Sequence, residues 1–119
     1  MGDDKNIFDP AMILDSLMDD KEIAQTILEG FIDDIAKQIN VLQDYLDSKD
    51  VEGMERQAHT IKGASANIGA AALQGFAHKM EIAGKAGEFE AVQKDMPQLS
   101  REFEILKDMI ESTIQEWQS

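Results

Sequence analysis

The residues best suited to chemistry sit in one run, His59-Thr60-Ile61-Lys62-Gly63-Ala64-Ser65-Ala66-Asn67-Ile68-Gly69. An imidazole can take a group covalently on its free lone pair and pass it on. Val51, Met54, Ala58, Ile61, Ser65 and Ile68 recur at spacings of three and four, which on a helix makes one apolar or small stripe to be buried. His59 falls off that stripe and so faces solvent. Lys62 and Gly63 lie one turn beyond it and Glu55 one turn before, so a cation and a bare stretch of backbone adjoin the ring. Glycine inside a helix costs roughly 0.5–1 kcal/mol relative to alanine. Access explains Gly63: without a Cβ there, a bulky anion or another protein's backbone can reach the ring, and Lys62 offsets the anion's charge. A phosphoryl group fits that description.

His59-Thr60-Ile61-Lys62-Gly63, the small-residue run and Ile68-Gly69 resemble the motif of histidine-containing phosphotransfer (HPt) domains. Leu73, Ala77, Met80 and Glu81, followed by the turn from Gly84 to Gly87, are similar to that family's second active-site helix. The spacing of His78 and Glu81 after His59 also resembles the phosphorylated N-terminal domain of chemotaxis histidine kinases. The resemblance runs from about Phe8 to about Ile114.

The resemblance implies a relay in which His59 accepts a phosphoryl group on Nε2, from a receiver phospho-aspartate or a kinase, and passes it to another aspartate. Lys62 and Gly63 belong to the same site, with Ser65, Ala66, Gly69, His78 and Glu81 in support. Glu81 is the candidate acceptor of the Nδ1 proton, which would hold the lone pair on the outward nitrogen. His78 on its own reads as an ordinary surface histidine. The expected partners are response-regulator receiver domains and a histidine kinase, docking over the low relief around His59 and Ala66 with apolar contact from the first two helices. The chain needs no cofactor of its own, and the Mg²⁺ of the transfer is expected on the receiver. Without a Gly-rich nucleotide loop autokinase activity is not expected, and the resemblance implies a phosphocarrier.

Composition narrows the field in the same direction. At 119 residues the chain is read as one domain, 1–119, with residues 1–7 flexible and a core large enough to need no metal or disulfide. The absence of cysteine excludes disulfides and thiolate chemistry and fits a reducing cytoplasm. A formal net charge of -13 makes nucleic acid and anionic membranes poor partners and favours a monomer. No run approaches the roughly 18 apolar residues of a membrane span.

The elements that must carry the site read as helices throughout. Asp9-Pro10 starts a short helix through about Met18. Asp19 and Glu22 form a capping box for a long helix with the stripe Ile23, Ile27, Phe31, Ile35, Ile39, Leu42 and Leu46. Asp50 caps the His59 helix, which Asn67 and Gly69 end. A helix from about Ala70 buries Leu73, Phe76, Ala77, Met80 and Gly84 and stops at Gly87. The seam from Phe89 to Trp117 makes a last helix that Pro97 kinks or restarts, with Asp95 suited to cap a restart. Four long helices with short links define an all-α, antiparallel up-down-up-down four-helix bundle with a short extra N-terminal helix.

Two rivals come from other classes. A di-iron bundle enzyme needs two Glu-x-x-His repeats, and two histidines without such a repeat fail that count. A non-transferring interaction or inhibitor module would keep the bundle without the relay, and an excised phospho-accepting domain of a hybrid or chemotaxis kinase would keep both.

Overall fold

Among the described residues, caps and left-handed turns set off five helices from Pro10 onward. The computed structural model describes residues 6–119, so residues 1–5 of the segment expected to be flexible lie outside it. The elements are α1 (Pro10–Ser16), α2 (Lys21–Asp47), α3 (Val51–Asn67), α4 (Ala71–Lys85) and α5 (Phe89–Gln118). Each of the last three links is three residues long, which forces consecutive helices antiparallel. The four long helices close into a bundle, α2 packing on α3 and α5, and α4 on α3 and α5. The core runs the length of it, from Ile13, Leu28 and Leu73 through Ile35, Ile61 and Leu106 to Leu46, Met54 and Val92.

Each link solves the same problem, the orphan carbonyls of a helix end. After α3, Ala70 N donates to Ser65 O at 2.9 Å and Gly69 N to Ala66 O at 3.2 Å, with Gly69 at φ +79°. After α4, Glu88 N donates to Ala83 O and Gly87 N to Gly84 O, both at 3.0 Å, with Gly87 at φ +72°. These are paired bonds of the Schellman type, which need a left-handed residue at that one place. Lys49 supplies it after α2, at φ +56°, and Asp50 then caps α3 by accepting from Gly53 N at 2.9 Å. Gly69 also ties the N-terminal segment down: its carbonyl accepts from Asp9 N at 3.0 Å, and a Cβ there would meet Asp9 O at 2.7 Å.

Three details depart from the pattern read in the sequence. The cap of α2 is Asp20, accepting from Ile23 N at 3.1 Å; Met18 and Asp19 both adopt positive φ, so the turn consumes one residue more than a capping box at Asp19 allows. Ile23 and Ile27 are exposed, and Ala24 and Leu28 take their places in the core. A step of four residues overshoots a helical turn by about 40°. Four such steps from Ile23 to Ile39 therefore swing across the helix, whereas Ala24, Leu28, Phe31, Ile35, Ile39 and Leu42 mix steps of three with steps of four and stay on one face. Finally, α5 runs unbroken through Pro97, because Met96, Leu99 and Phe103 are buried on either side of it. Asp95 caps nothing; its carboxylate lies 3.6 Å from Lys79 Nζ on α4.

Candidate functional site

The stripe Met54, Ala58, Ile61 and Ser65 is buried, which turns His59 outward with 64 % of its side chain exposed. Helix side chains lean toward the N-terminus, so the ring covers the turn carrying Glu55 and Arg56. The same lean brings Lys62 back toward it from the following turn. α4 closes in from the other side. A Cβ added at Gly84 would come into van der Waals contact with the backbone of Glu55, 3.5 Å from its nitrogen, and this close approach of α4 to α3 sets Glu81 opposite His59.

Glu81 is the hub of the site. His59 Nδ1 lies 2.7 Å from Glu81 Oε2, and Lys62 Nζ donates to Glu81 Oε1 at 2.7 Å. His78, one turn back on α4, has its Nδ1 3.5 Å from Oε1. The Lys62 hydrogen bond above all holds the Glu81 carboxyl at about 2, against burial, which pushes it up; the His59 hydrogen bond adds to the lowering. A carboxyl ionised at neutral pH has no proton to donate. The 2.7 Å contact therefore puts the hydrogen on Nδ1, and the neutral ring carries its lone pair on Nε2. Nε2 makes no hydrogen bond among the described residues. A polarised imidazole with an outward lone pair is a nucleophile awaiting an electrophile that comes from outside the chain.

The other residues singled out in the sequence divide between surface and core. Gly63 is exposed, and a Cβ built on it meets nothing within 4 Å. Packing within the chain thus gives no reason for a glycine there. Ala66 is half-buried and its carbonyl serves the helix end. Ser65 is fully buried and its hydroxyl donates to Ile61 O at 2.7 Å, so it is not brought to the imidazole. Gly69 belongs to the turn against Asp9. His78 is exposed and reaches the site only through Glu81.

One group at the site carries no signal in the sequence beyond a spacing of three from His59. Arg56 lines a shallow cleft of about 370 Å³ with Glu52, Glu55, His59 and Glu81. Its Nη2 donates to the Tyr45 hydroxyl at 3.4 Å, and its guanidinium carbon lies 5.8 Å from the Tyr45 ring centroid. Tyr45 reaches it by packing directly against Gly53, where any Cβ would overlap the ring. Tyr45 stands on α2, so only the folded bundle brings the pair together.

The site is thus one oriented, solvent-facing imidazole on a helical bundle. A family model described as Hpt domain matches residues 26–116. Over 105 residues the chain is 30 % identical to the phosphorelay intermediate protein rdeA of Dictyostelium discoideum, covering 85 % of this chain and 41 % of that protein. The chain thus spans about two-fifths of the length of that curated relative. The crystal structure of histidine-containing phosphotransfer protein B (HptB) from Pseudomonas aeruginosa PAO1 superposes with a TM-score of 0.85 at 24 % identity, covering 92 % of this chain and 96 % of that one. The HPT domain of an Hpt sensor hybrid histidine kinase from Shewanella superposes with a TM-score of 0.76 at 18 % identity, over 94 % and 97 % of the two chains. The chain belongs to the histidine-containing phosphotransfer (Hpt) domain family.

Proposed function

We propose that the protein carries a phosphoryl group on His59 in a phosphorelay, between a kinase or receiver that donates it and a receiver that accepts it. The observation that carries this reading is the Nδ1 contact to Glu81, which leaves the Nε2 lone pair facing solvent. In the forward step that lone pair attacks the phosphorus of a receiver's phospho-aspartate. The N–P bond forms, the P–O bond to the aspartyl carboxyl breaks, and the carboxylate leaves with the electron pair. Nδ1 keeps its proton, so the phosphorylated ring is cationic and faces the Glu81 carboxylate, which compensates it. Transfer onward runs the same step in reverse on a second aspartate.

Lys62 offsets charge on the phosphoryl oxygens and also anchors Glu81; Gly63 leaves room for the incoming group and the receiver's backbone. His78 and the ends of α3 lie outside the transfer itself. The divalent cation of aspartyl phosphate chemistry, Mg²⁺, belongs to the receiver, as does the closure of the site against water. No helix among the described residues is long and apolar enough to cross a membrane. The strongly acidic composition favours a monomer, and the reading is of a cytoplasmic carrier with no catalytic cycle of its own.

Incubation with a panel of phosphorylated receiver domains tests the reading. Acid-labile phosphate is expected to appear on the wild-type chain and to be absent from His59→Gln, whose circular dichroism should be unchanged because His59 packs nothing. Phosphate accepted by the variant, or none accepted by the wild-type chain from any receiver in the panel, would overturn it.

A further inference from the structure

The cleft beside His59 is electrostatically odd for a site that receives a phosphoryl group. Its rim carries three carboxylates, Glu52, Glu55 and Glu81, against two cations, Lys62 close by and Arg56 within it. Lys62 is already committed, its ammonium 2.7 Å from Glu81 at a partly buried position. Arg56 is not: among the described residues no carboxylate lies within ion-pair distance of it. A neutral phenol and the face of its ring hold the guanidinium, at 3.4 and 5.8 Å. A guanidinium has five N–H donors in a planar fork that matches phosphoryl oxygens, and the Tyr45 hydroxyl takes one of them. An exposed cation–π seat is weak, so the guanidinium can leave it at small cost.

Placement completes the case. Arg56 and His59 are three residues apart on one helix, which makes them surface neighbours, and the imidazole leans over the turn that bears Arg56. A phosphoryl group on Nε2 would otherwise meet Glu52 and Glu55 on that side with nothing to offset them. We propose that Arg56 is a second phosphoryl-binding cation of this site, resting on Tyr45 in the free protein and moving to the phosphoryl oxygens when His59 is phosphorylated. Gly53 has its reason here, since only a glycine lets the Tyr45 ring lie across α3 and provide the seat. The inference rests on the reading of His59 as the phosphorylated residue.

Phosphoramidate, a small phosphodonor, separates phosphoryl binding from protein docking. Its P–N bond breaks, ammonia leaves, and the N–P bond to His59 Nε2 forms with no partner protein present. Wild type, Arg56→Gln, Arg56→Lys and His59→Gln would be treated in parallel, with folding checked by circular dichroism. The Arg56→Gln variant is expected to be phosphorylated roughly tenfold more slowly, the size of one lost charge-assisted bond, with Arg56→Lys in between. The Arg56 Nε–H resonance of wild type should shift on phosphorylation, and the same resonance should stay put in phosphoramidate-treated His59→Gln. Equal rates in Arg56→Gln and wild type, or an Arg56 resonance unmoved by phosphorylation, would overturn the proposal. So would a loss confined to transfer from receivers, which would make Arg56 a docking residue. Failure of wild type to take phosphate on His59 would be seen separately, in the absence of phosphohistidine from every sample, and would remove the functional reading and this proposal together.

Discussion

Glu81 Oε2 on α4 lies 2.7 Å from His59 Nδ1 on α3, and its other oxygen lies equally close to Lys62 Nζ. One carboxylate thus orients the nucleophile and restrains the cation beside it. The two demands compete: a Lys62 that moved to a phosphoryl group would loosen its hold on Glu81 just when the phosphorylated ring, now cationic, strengthens the other bond. Arrival of the phosphoryl group would pass Glu81 from lysine to histidine.

Glu81→Gln should therefore change which ring nitrogen bears the hydrogen. The amide can donate to Nδ1 as well as accept from it, so the lone pair is no longer confined to Nε2. Nitrogen-15 NMR of the imidazole is expected to show a mixed tautomer population where wild type shows hydrogen on Nδ1. Transfer should slow by roughly ten- to hundredfold, the range of one hydrogen bond to a charged group. A wild-type tautomer ratio in the variant would detach Glu81 from this role.

The same contacts set a pH dependence. Glu81 is held at about 2 against an ordinary value of 4.5, with Lys62 the largest cause. A lowered carboxyl stabilises the fold fully above its unfolded value and loses that contribution as pH falls through its folded one, here between about 4.5 and about 2. Carbon-13 titration of the Glu81 carboxyl should find a midpoint near the lower value. In Lys62→Gln the midpoint should rise toward 4.5. An unmoved midpoint would place the Lys62 ammonium away from Glu81 in solution.

Gly63 is open on the side where a Cβ would stand. Gly63→Gln should stabilise the fold by about 0.5–1 kcal/mol through helix propensity, because nothing resists the new side chain. The same side chain should obstruct the approach of a receiver and reduce transfer by roughly a hundredfold, the scale of a misplaced reacting group. Thermal melts and receiver-to-His59 transfer rates measure the two effects on one variant. A stabilised protein with unimpaired transfer would show that the glycine is not kept for access.

What the sequence makes legible follows from how far apart the cooperating residues are. The outward turn of His59, the Asp50 cap and the stops at Gly69 and Gly87 are local, set by the helical angle of one residue or the φ of one glycine. The stripe of α2 was harder, since Ile23 and Ile27 look like core until the accumulated angle is counted against Ala24 and Leu28. Pro97 signals a break by its own chemistry, and only the buried Met96, Leu99 and Phe103, packed by other helices, carry α5 through it. Likewise the cap at Asp20 depends on two positive-φ residues, Met18 and Asp19, that no glycine announces. The seat of Arg56 on Tyr45 joins residues of two helices across Gly53, and nothing local to any of the three reveals it.

Gly69 lies at the end of the motif, and its place in the structure separates scaffold from chemistry. Gly69→Ala should cost more than the roughly 1–2 kcal/mol of a left-handed alanine, because the new Cβ also meets the Asp9 carbonyl at 2.7 Å. The loss should appear as a lower denaturant midpoint. Phosphorylation of His59 per folded molecule should stay near wild type, since Gly69 makes no contact with the imidazole. A variant of full stability that failed to accept phosphate would move Gly69 into the site.

The exposed apolar side chains give the last prediction, which concerns where a receiver sits. Met12, Met18, Ile23 and Ile27 are exposed at the end of the bundle where α1 and the start of α2 meet the end of α3, held there by the Asp9 to Gly69 bond. On an otherwise acidic surface such side chains are costly to leave in water, and α3 runs from His59 toward them. A receiver seated over His59 would cover this end and use those side chains as apolar contact, while the acidic remainder discourages random association. Ile27→Lys should then weaken receiver binding by roughly fivefold to tenfold, the worth of burying the exposed part of one isoleucine. Chemical phosphorylation of His59 by phosphoramidate should be unaffected, since Ile27 lies outside the cleft. Chemical-shift perturbation by a receiver should trace the same surface from His59 to Ile27. Perturbations gathered at the opposite end, around Ser48 and Gly87, would leave His59 uncovered and favour a non-transferring interaction module over the relay.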